Sequence, residues 1–137
     1  MHKGSLNLKL QKGNFRNKEL SINNSSVIFG DLGIKLYQKG ILSFSQINAA
    51  KKILAKALKG IGKLWVRFLP HRPITQKPLE MRMGKGKGNI CDWICEVKAG
   101  MVLFEISKVV LTKYLKQSIK LALTKLPLKV KFIKKLY

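Results

Sequence analysis

The segment SFSQINAAKKILAKALK (43–59) constrains the fold most strongly, because its pattern predicts a helix with one apolar and one basic face. Ser43 and Gln46 have the spacing of a capping box, which marks a helix start. Gly60 and Gly62 follow at the predicted end. Between them, apolar residues recur at helical spacing and define the face expected to be buried: Ile47, Ala50, Leu54 and either Ala57 or Leu58.

The other face of this helix carries Lys52, Lys56 and Lys59 at positions i, i+4 and i+7, without an acidic residue to pair with them. A solvated helix face normally mixes both signs, so a phosphate-facing role is favoured, with a solvated face as the alternative. The whole chain shows the same imbalance: Lys and Arg number 28, Asp and Glu only 6, and the net charge is +22. Such a chain implies a partner of dense negative charge, either nucleic acid or an anionic membrane.

Strand-forming residues and turn signals fill much of the remaining chain. Short strands are predicted in three segments: 27–37, 63–69 and 128–137. Prolines make 71–78 a loop or an edge strand. Residues 90–106 contain strong strand formers on both sides of a turn at 98–100, which predicts a hairpin.

A second amphipathic helix is predicted before Pro127, with Lys113, Lys116 and Lys120 on its outer face. Its apolar face consists of Leu115, Ile119, Ala122 or Leu123, and Leu126. Two helices and several short strands predict an α+β fold, a single compact domain of short antiparallel or mixed strands packed with two amphipathic helices. The domain is predicted to span 27–137, behind a basic extended arm over 1–26 that orders mainly on binding.

Residue types that support enzymatic or metal chemistry are sparse. The two cysteines, Cys91 and Cys95, have no second cysteine pair, and the two histidines are far away in sequence, so the ligand spacing of a zinc site is absent. No catalytic motif is present, and the few acidic residues are expected to be internal ion-pair partners. We predict no catalytic residue, no metal and no cofactor.

The stretch RMGKGKG (82–88) is predicted to be a loop, because glycine disfavours a helix or strand interior by about 1 kcal/mol per residue. Its spacing matches neither a Walker A loop nor a dinucleotide fingerprint. Glycines let the backbone approach a phosphate surface closely, while Arg82, Lys85 and Lys87 supply charge. The stretch thus predicts a phosphate-contacting loop, with a disordered basic loop as the alternative.

Nucleic acid fits the charge distribution better than a membrane does. No uncharged run approaches the roughly 18 to 20 residues that span a bilayer, and Trp65 and Trp93 lie in predicted strands rather than on an interfacial helix. No helix-turn-helix, zinc-finger or basic-zipper pattern is present. Basic residues occur in the arm, helices, loop and tail, as in a protein embedded in folded RNA.

Residues 62–106 resemble the central segment of the bacterial-type L-sixteen family of large-subunit ribosomal proteins. The resemblance rests on Lys77 and Pro78, then RMGKGKG, then Trp93 and VKAGMVLFE (97–105). It covers nearly the whole chain through four further segments: HKG (2–4), FGDLGIKL (29–36), QINAAKKILAKALKG (46–60) and KLPLKVKFI (125–133).

The resemblance implies a structural constituent of the large ribosomal subunit that binds large-subunit rRNA. It also implies a role in positioning tRNA near the A site and the peptidyl-transferase region, with P-site tRNA as a further option. Neighbouring large-subunit proteins would be the other partners, with no membrane and no homo-oligomer. The tRNA-proximal loop would comprise Arg82, Met83, Gly84, Lys85, Gly86, Lys87 and Gly88. The rRNA contacts would be His2, Lys3, Lys9, Lys12, Arg16, Lys51, Lys52, Lys56, Lys59, Arg67, Arg72, Lys77, Lys113, Lys116 and Lys120. A non-ribosomal RNA-binding protein of an organelle is the alternative.

The sequence departs from the family pattern on its N-terminal side. The basic stretch that usually precedes HKG is absent, 5–26 is longer and more polar than usual, and Ala99 replaces the turn proline. The basic residues are mostly lysine, and the arginines are only Arg16, Arg67, Arg72 and Arg82. Together with a match that starts at residue 2, this bias predicts a mitochondrion-encoded member in the matrix, within the mitochondrial ribosome. A bacterial cytoplasm or a plastid is the alternative.

Overall fold

The computed structural model describes residues 9–11, 20–21, 24–107 and 112–135. In this part of the chain, two helices and seven strands follow in the order β1 (Leu32–Leu36), β2 (Gly40–Ser43), α1 (Phe44–Leu58), β3 (Leu64–Val66), β4 (Arg72–Gln76), β5 (Asn89–Val97), β6 (Val102–Ile106), α2 (Lys113–Thr124) and β7 (Val130–Lys134). The predicted α+β fold class is confirmed. Most of the predicted arm over 1–26 lies outside the described residues, as do four predicted rRNA contacts, His2, Lys3, Lys12 and Arg16.

The strands form two antiparallel sheets. One has the order β3-β6-β1-β7, and the other has the order β2-β5-β4. In the larger sheet, Ile34 of β1 lies opposite Phe104 of β6 and Phe132 of β7. β4 is an edge strand that contains Pro73, as the prolines of this segment predicted. Both sheets and both helices contribute to one hydrophobic core, in which Leu36, Leu42 and Leu54 are fully buried.

The predicted hairpin over 90–106 is wrong in its pairing, although both strands are present. β5 pairs with β2 and β4, whereas β6 pairs with β1 and β3, so the turn at 98–100 carries the chain from one sheet to the other. Gly100 donates from its backbone N–H to the Leu36 carbonyl, and Leu36 donates to the Met101 carbonyl. The error has a physical reason. β propensity indicates that a segment is extended, but the strands with which it pairs are determined by residues far away in the sequence.

Helix α1 begins as its sequence predicted. The Ser43 hydroxyl accepts a hydrogen bond from the Gln46 backbone N–H at 3.3 Å, and the Gln46 side-chain oxygen accepts from the Ser43 N–H at 3.0 Å. The predicted apolar face is buried, and it consists of Ile47, Ala50, Leu54, Ala57 and Leu58. The helix ends at Leu58, and Gly60 follows with a φ of +78°. The residues of segment 43–60 thus predicted the start, the end and the buried face of α1.

Removal of the Ser43 hydroxyl should destabilise the domain modestly. Ser43→Ala leaves the Gln46 N–H without its cap acceptor, so the free energy of unfolding is expected to fall by about 1 kcal/mol. Urea denaturation followed by far-UV circular dichroism measures this loss. Ser43→Thr retains a capping oxygen and should lose less; equal losses in the two variants would contradict a capping role.

Helix α2 begins at a Thr112 cap, whose hydroxyl accepts from the Leu115 backbone N–H at 3.3 Å. Its buried face comprises Leu115, Ser118, Ile119 and Ala122. Leu126 is also buried, just before Pro127, as predicted. The helix packs against α1, so the two helices form one layer over the core.

The two cysteines occupy opposite environments. Cys91 is exposed, whereas Cys95 is buried, and burial raises the pKa of the Cys95 thiol from 9.0 to about 11. Because only the thiolate reacts with alkylating agents, Cys95 stays protonated and protected near pH 8. We expect iodoacetamide to modify Cys91 alone in the folded protein and both cysteines in denaturant. Mass spectrometry of peptides distinguishes the sites, and native labelling of Cys95 would contradict this packing.

Candidate nucleic-acid interface

Lysines line the solvent side of the α1–α2 layer. Neither helix contains an acidic residue. The exposed lysines on α1, just after its end and on α2 are Lys51, Lys52, Lys56, Lys59, Lys113, Lys116 and Lys120. We call this set the helical lysine face. The fold therefore places six of the predicted rRNA contacts on two packed helices and a seventh, Lys59, directly after α1, with no acidic residue on either helix to neutralise them.

The loop over 77–88 joins the edge strand β4 to β5, and the pair Gln76 and Asn89 closes it. Residues 82–87 are exposed, and Met83 is completely accessible to solvent. Lys77, a predicted rRNA contact, donates from its ammonium group to the Gly84 carbonyl and so bridges the loop. The predicted loop is confirmed as an exposed projection at the end of a two-strand segment.

Three successive residues of the loop tip adopt positive φ angles: Gly84 at +95°, Lys85 at +53° and Gly86 at +83°. Only the lysine is strained in this conformation, by about 1 to 2 kcal/mol, since glycine adopts it freely. A Cβ atom at Gly84 or Gly86 would meet no heavy atom within 4 Å. The tip therefore has open space around its backbone, as a contact with a large partner requires.

Gly88 has a different role from the one predicted. A Cβ atom there would lie 2.5 Å from the carbonyl carbon and oxygen of Gln76, so glycine is needed for packing within the protein. This position is at the base of the loop beside β4, not at its tip. Close approach to an outside partner is thus an argument for Gly84 and Gly86 only.

The described part of the arm contacts the same loop. Lys87 donates from its ammonium group to the Leu10 carbonyl at 2.7 Å, and Lys9 donates to the Lys87 carbonyl at 3.2 Å. Lys9, predicted as an rRNA contact, therefore lies next to the loop. The sequence contained no signal for this contact, because the paired residues are 77 and 78 positions apart.

Arg67 is a correction to the predicted rRNA contacts. Its guanidinium forms an ion pair with the fully buried carboxylate of Glu105, and only 10% of the Arg67 side chain is exposed. The same carboxylate accepts hydrogen bonds from the backbone N–H groups of Phe29 at 2.6 Å and Gly30 at 2.9 Å, and from Ile28. A buried carboxylate requires such partners, so Arg67 serves the fold rather than a phosphate.

Burial alone would raise the pKa of Glu105. Hydrogen bonds from Gly30, Arg67, Ile28 and Phe29 outweigh that effect and hold the pKa below its ordinary value of 4.5. The carboxylate is therefore ionised at neutral pH. Arg67 also lies over the Phe29 ring at 5.6 Å, and Phe29 stacks with Trp65 at 6.4 Å between centroids.

Arg72 and Glu96 form a second ion pair between neighbouring strands. Their side chains remain 29% and 35% exposed, so this pair lies at the surface. The prediction that acidic residues form ion pairs within the protein is confirmed for Glu96 and Glu105. Arg72 keeps an exposed fraction, and its predicted rRNA contact stays a prediction.

The described residues offer little for other types of site. No three His, Cys, Asp or Glu side chains within them are arranged to hold a metal ion. Among these residues, neither helix has the length and apolar character needed to cross a bilayer.

A family model described as ribosomal protein L16p/L10e matches residues 7–133. The chain belongs to this family. Its relatives include proteins named large ribosomal subunit protein uL16. That of Wigglesworthia glossinidia brevipalpis is 44% identical over 128 residues, which are 93% of this chain and 91% of the relative. That of Acinetobacter baylyi is 43% identical over 125 residues, covering 91% and 89% of the two chains.

Membership in the L16p/L10e family confirms the resemblance on which the predicted site residues depend. A third relative, from Psychrobacter arcticus, is 40% identical over 127 residues, which are 93% of this chain and 90% of the relative. Because uL16 proteins are structural ribosomal proteins, the prediction that this chain is not an enzyme is also confirmed.

Proposed function

We propose that this protein is a structural constituent of the large ribosomal subunit and binds large-subunit rRNA through the helical lysine face. One observation carries the proposal: exposed lysines cover two packed helices that contain no acidic residue. Phosphates are the groups that neutralise such a surface at high density. The uL16 names of the relatives support the ribosome as the source of that RNA.

Sedimentation tests this proposal directly. The protein should migrate with large subunits in a sucrose gradient and remain bound after a wash at moderate salt. Recovery in the soluble top fractions would contradict it. Crosslinks mainly to RNA outside the ribosome would instead favour an organellar RNA-binding protein.

We further propose that Arg82, Lys85 and Lys87 contact tRNA near the A site and the peptidyl-transferase region. In support, the loop tip projects into solvent, whereas the helical lysine face lies on a separate element packed on the core. The two surfaces can therefore serve two different partners, one permanent and one transient. Gly84 and Gly86 have no Cβ atom, and the space around both positions is open, so a partner can approach the backbone of the tip closely.

Substitution of Lys85 and Lys87 by alanine should weaken tRNA binding to the assembled subunit. Each lost phosphate contact is expected to reduce the slope of log affinity against log salt by roughly one. Filter binding of tRNA across a salt series measures this change, and sedimentation measures assembly. Assembly should be largely retained; an equal defect in assembly would assign the loop to subunit structure instead.

As the compartment, we propose the mitochondrial ribosome, with a bacterial or plastid ribosome as the alternative. The preference for lysine over arginine supports the mitochondrial assignment, and the bacterial origin of the relatives is compatible with the alternative. Immunogold labelling of source cells tests the location.

A further inference from the structure

A cleft of about 540 Å³ opens between the start of α1, the segment after β3, and β5. Its size lies within the range of about 300 to 1,000 Å³ that is typical of small-molecule sites. Its lining includes Phe44, Trp93, Leu69, Pro70, Asn48 and Lys51. Of these lining residues only Lys51 is a predicted rRNA contact, and no predicted function uses the cleft as a whole.

The cleft combines aromatic surface with a single charge. Phe44 is 52% exposed and Leu69 is 55% exposed, although both are large apolar side chains. Trp93 is half-buried. Among the described residues that line the cleft, Lys51 is the only charged one, and none is acidic. Ligand sites are typically concave and mostly apolar with a few polar groups, and the lining of this cleft has that composition.

We propose that this cleft binds one unstacked RNA base. The rings of Phe44 and Trp93 supply the stacking surface, Lys51 pairs with a flanking phosphate, and the Asn48 side-chain amide offers a donor and an acceptor to the base edge. The inference rests on the proposed function, since it assumes an RNA partner, and it deepens that function by naming the chemical group recognised.

Charge complementarity selects this occupant. Lys51 belongs to the helical lysine face, so the cleft opens at the border of the surface proposed to bind phosphates. A nucleotide brings a phosphate close to these lysines together with its base. An apolar peptide segment would bring no anionic partner for Lys51. One nucleotide can therefore contact the Lys51 ammonium and the rings of Phe44 and Trp93 at the same time.

The test uses the full chain with Trp65→Phe, so that Trp93 is the only tryptophan left of the two in the sequence. Two RNA probes carry identical phosphates: a heptamer of abasic units, and the same heptamer with one adenine at its centre. We expect the adenine probe to bind about tenfold more tightly, because stacking of a base on an aromatic side chain contributes to that extent. It should also quench Trp93 fluorescence.

Phe44→Leu keeps an apolar side chain but removes the ring, so the preference for adenine should fall at least threefold. Tyr37→Leu is the matched control, because Tyr37 is an exposed aromatic residue outside the cleft lining. It should retain the preference. Circular dichroism verifies that both variants fold.

The outcomes separate this inference from the proposed function. Equal, salt-dependent binding of both probes without quenching would overturn the base site and leave RNA binding intact. An unchanged preference in Phe44→Leu would also overturn the site. Failure of both probes to bind at low salt would contradict the RNA-binding function itself.

Discussion

Glu105→Ala is expected to lower the free energy of unfolding by about 3 to 5 kcal/mol, the largest stability loss that we predict for a single substitution. The substitution leaves the mostly buried Arg67 guanidinium without its anionic partner and removes the acceptor of three backbone N–H groups, at Ile28, Phe29 and Gly30. Since a domain of this size is stable by only about 5 to 15 kcal/mol, this loss is a large fraction of the total.

Urea denaturation monitored by circular dichroism measures the effect, and the protein contains its own control. Glu96→Ala breaks the ion pair with Arg72, which is about one-third exposed on both sides and therefore screened by water. It should lose less than about 1 kcal/mol. Similar losses in the two variants would show that the buried ion pair stabilises the fold no more than the exposed one.

The lowered pKa of Glu105 predicts that the free energy of unfolding decreases in acid. Its pKa is lowered in the folded protein, so ionised Glu105 stabilises the fold fully above its ordinary pKa of 4.5. This contribution falls as the pH drops below 4.5 towards the lower pKa of the folded state. Glu105→Gln should remove this component, so the variant should lose less stability than the wild type between pH 5 and acid denaturation. Parallel pH curves would contradict the assignment.

Exchange of four lysines on the helical lysine face for glutamine should reduce rRNA affinity by about 10² to 10³-fold at 0.1 M salt. The positions are Lys52, Lys56, Lys113 and Lys116, all exposed on α1 or α2. Each phosphate contact contributes roughly 0.7 to 0.9 to the slope of log affinity against log salt, so the slope should fall by about 3. Glutamine has a helix propensity similar to that of lysine, so the helices should persist.

Filter binding of transcribed large-subunit rRNA across a salt series gives both quantities. A charge-matched control replaces Lys39, Lys129, Lys131 and Lys134, which are exposed but lie on neither helix. This variant loses the same net charge and should lose much less affinity. An equal loss would mean that total charge, and not a defined face, governs binding.

Features defined by neighbouring residues were predictable from the sequence. The capping box of Ser43 and Gln46 and the apolar periodicity of α1 act within one element, so the helix follows from its own residues. The loop over 82–88 was predictable for the same reason, since Gly84 and Gly86 adopt positive φ angles without strain. The positive φ of Lys85 was not, because its own residue type disfavours it.

Features that depend on distant residues were not predictable. Arg67 has the chemistry of a phosphate ligand, and only its contact with Glu105, 38 positions away, reveals a structural role. The partners of β5 and β6 likewise depend on β1, β2, β3 and β4 rather than on the turn between them. For the candidate site, the sequence indicated which residue types bind phosphate. It did not indicate the cleft beside Phe44 and Trp93, because that cleft forms only where three segments distant in sequence pack together.

The contact between Glu105 and the backbone of 28–30 also joins the segment before β1 to strand β6. Three consecutive N–H groups at Ile28, Phe29 and Gly30 bind one carboxylate, and the Asp31 N–H then donates to the Ile106 carbonyl. The described residues just upstream extend this attachment: Val27 is buried, and the Asn24 carbonyl accepts from the Val102 N–H. An insertion or deletion between Asn24 and Ile28 should therefore disturb the packing along β6.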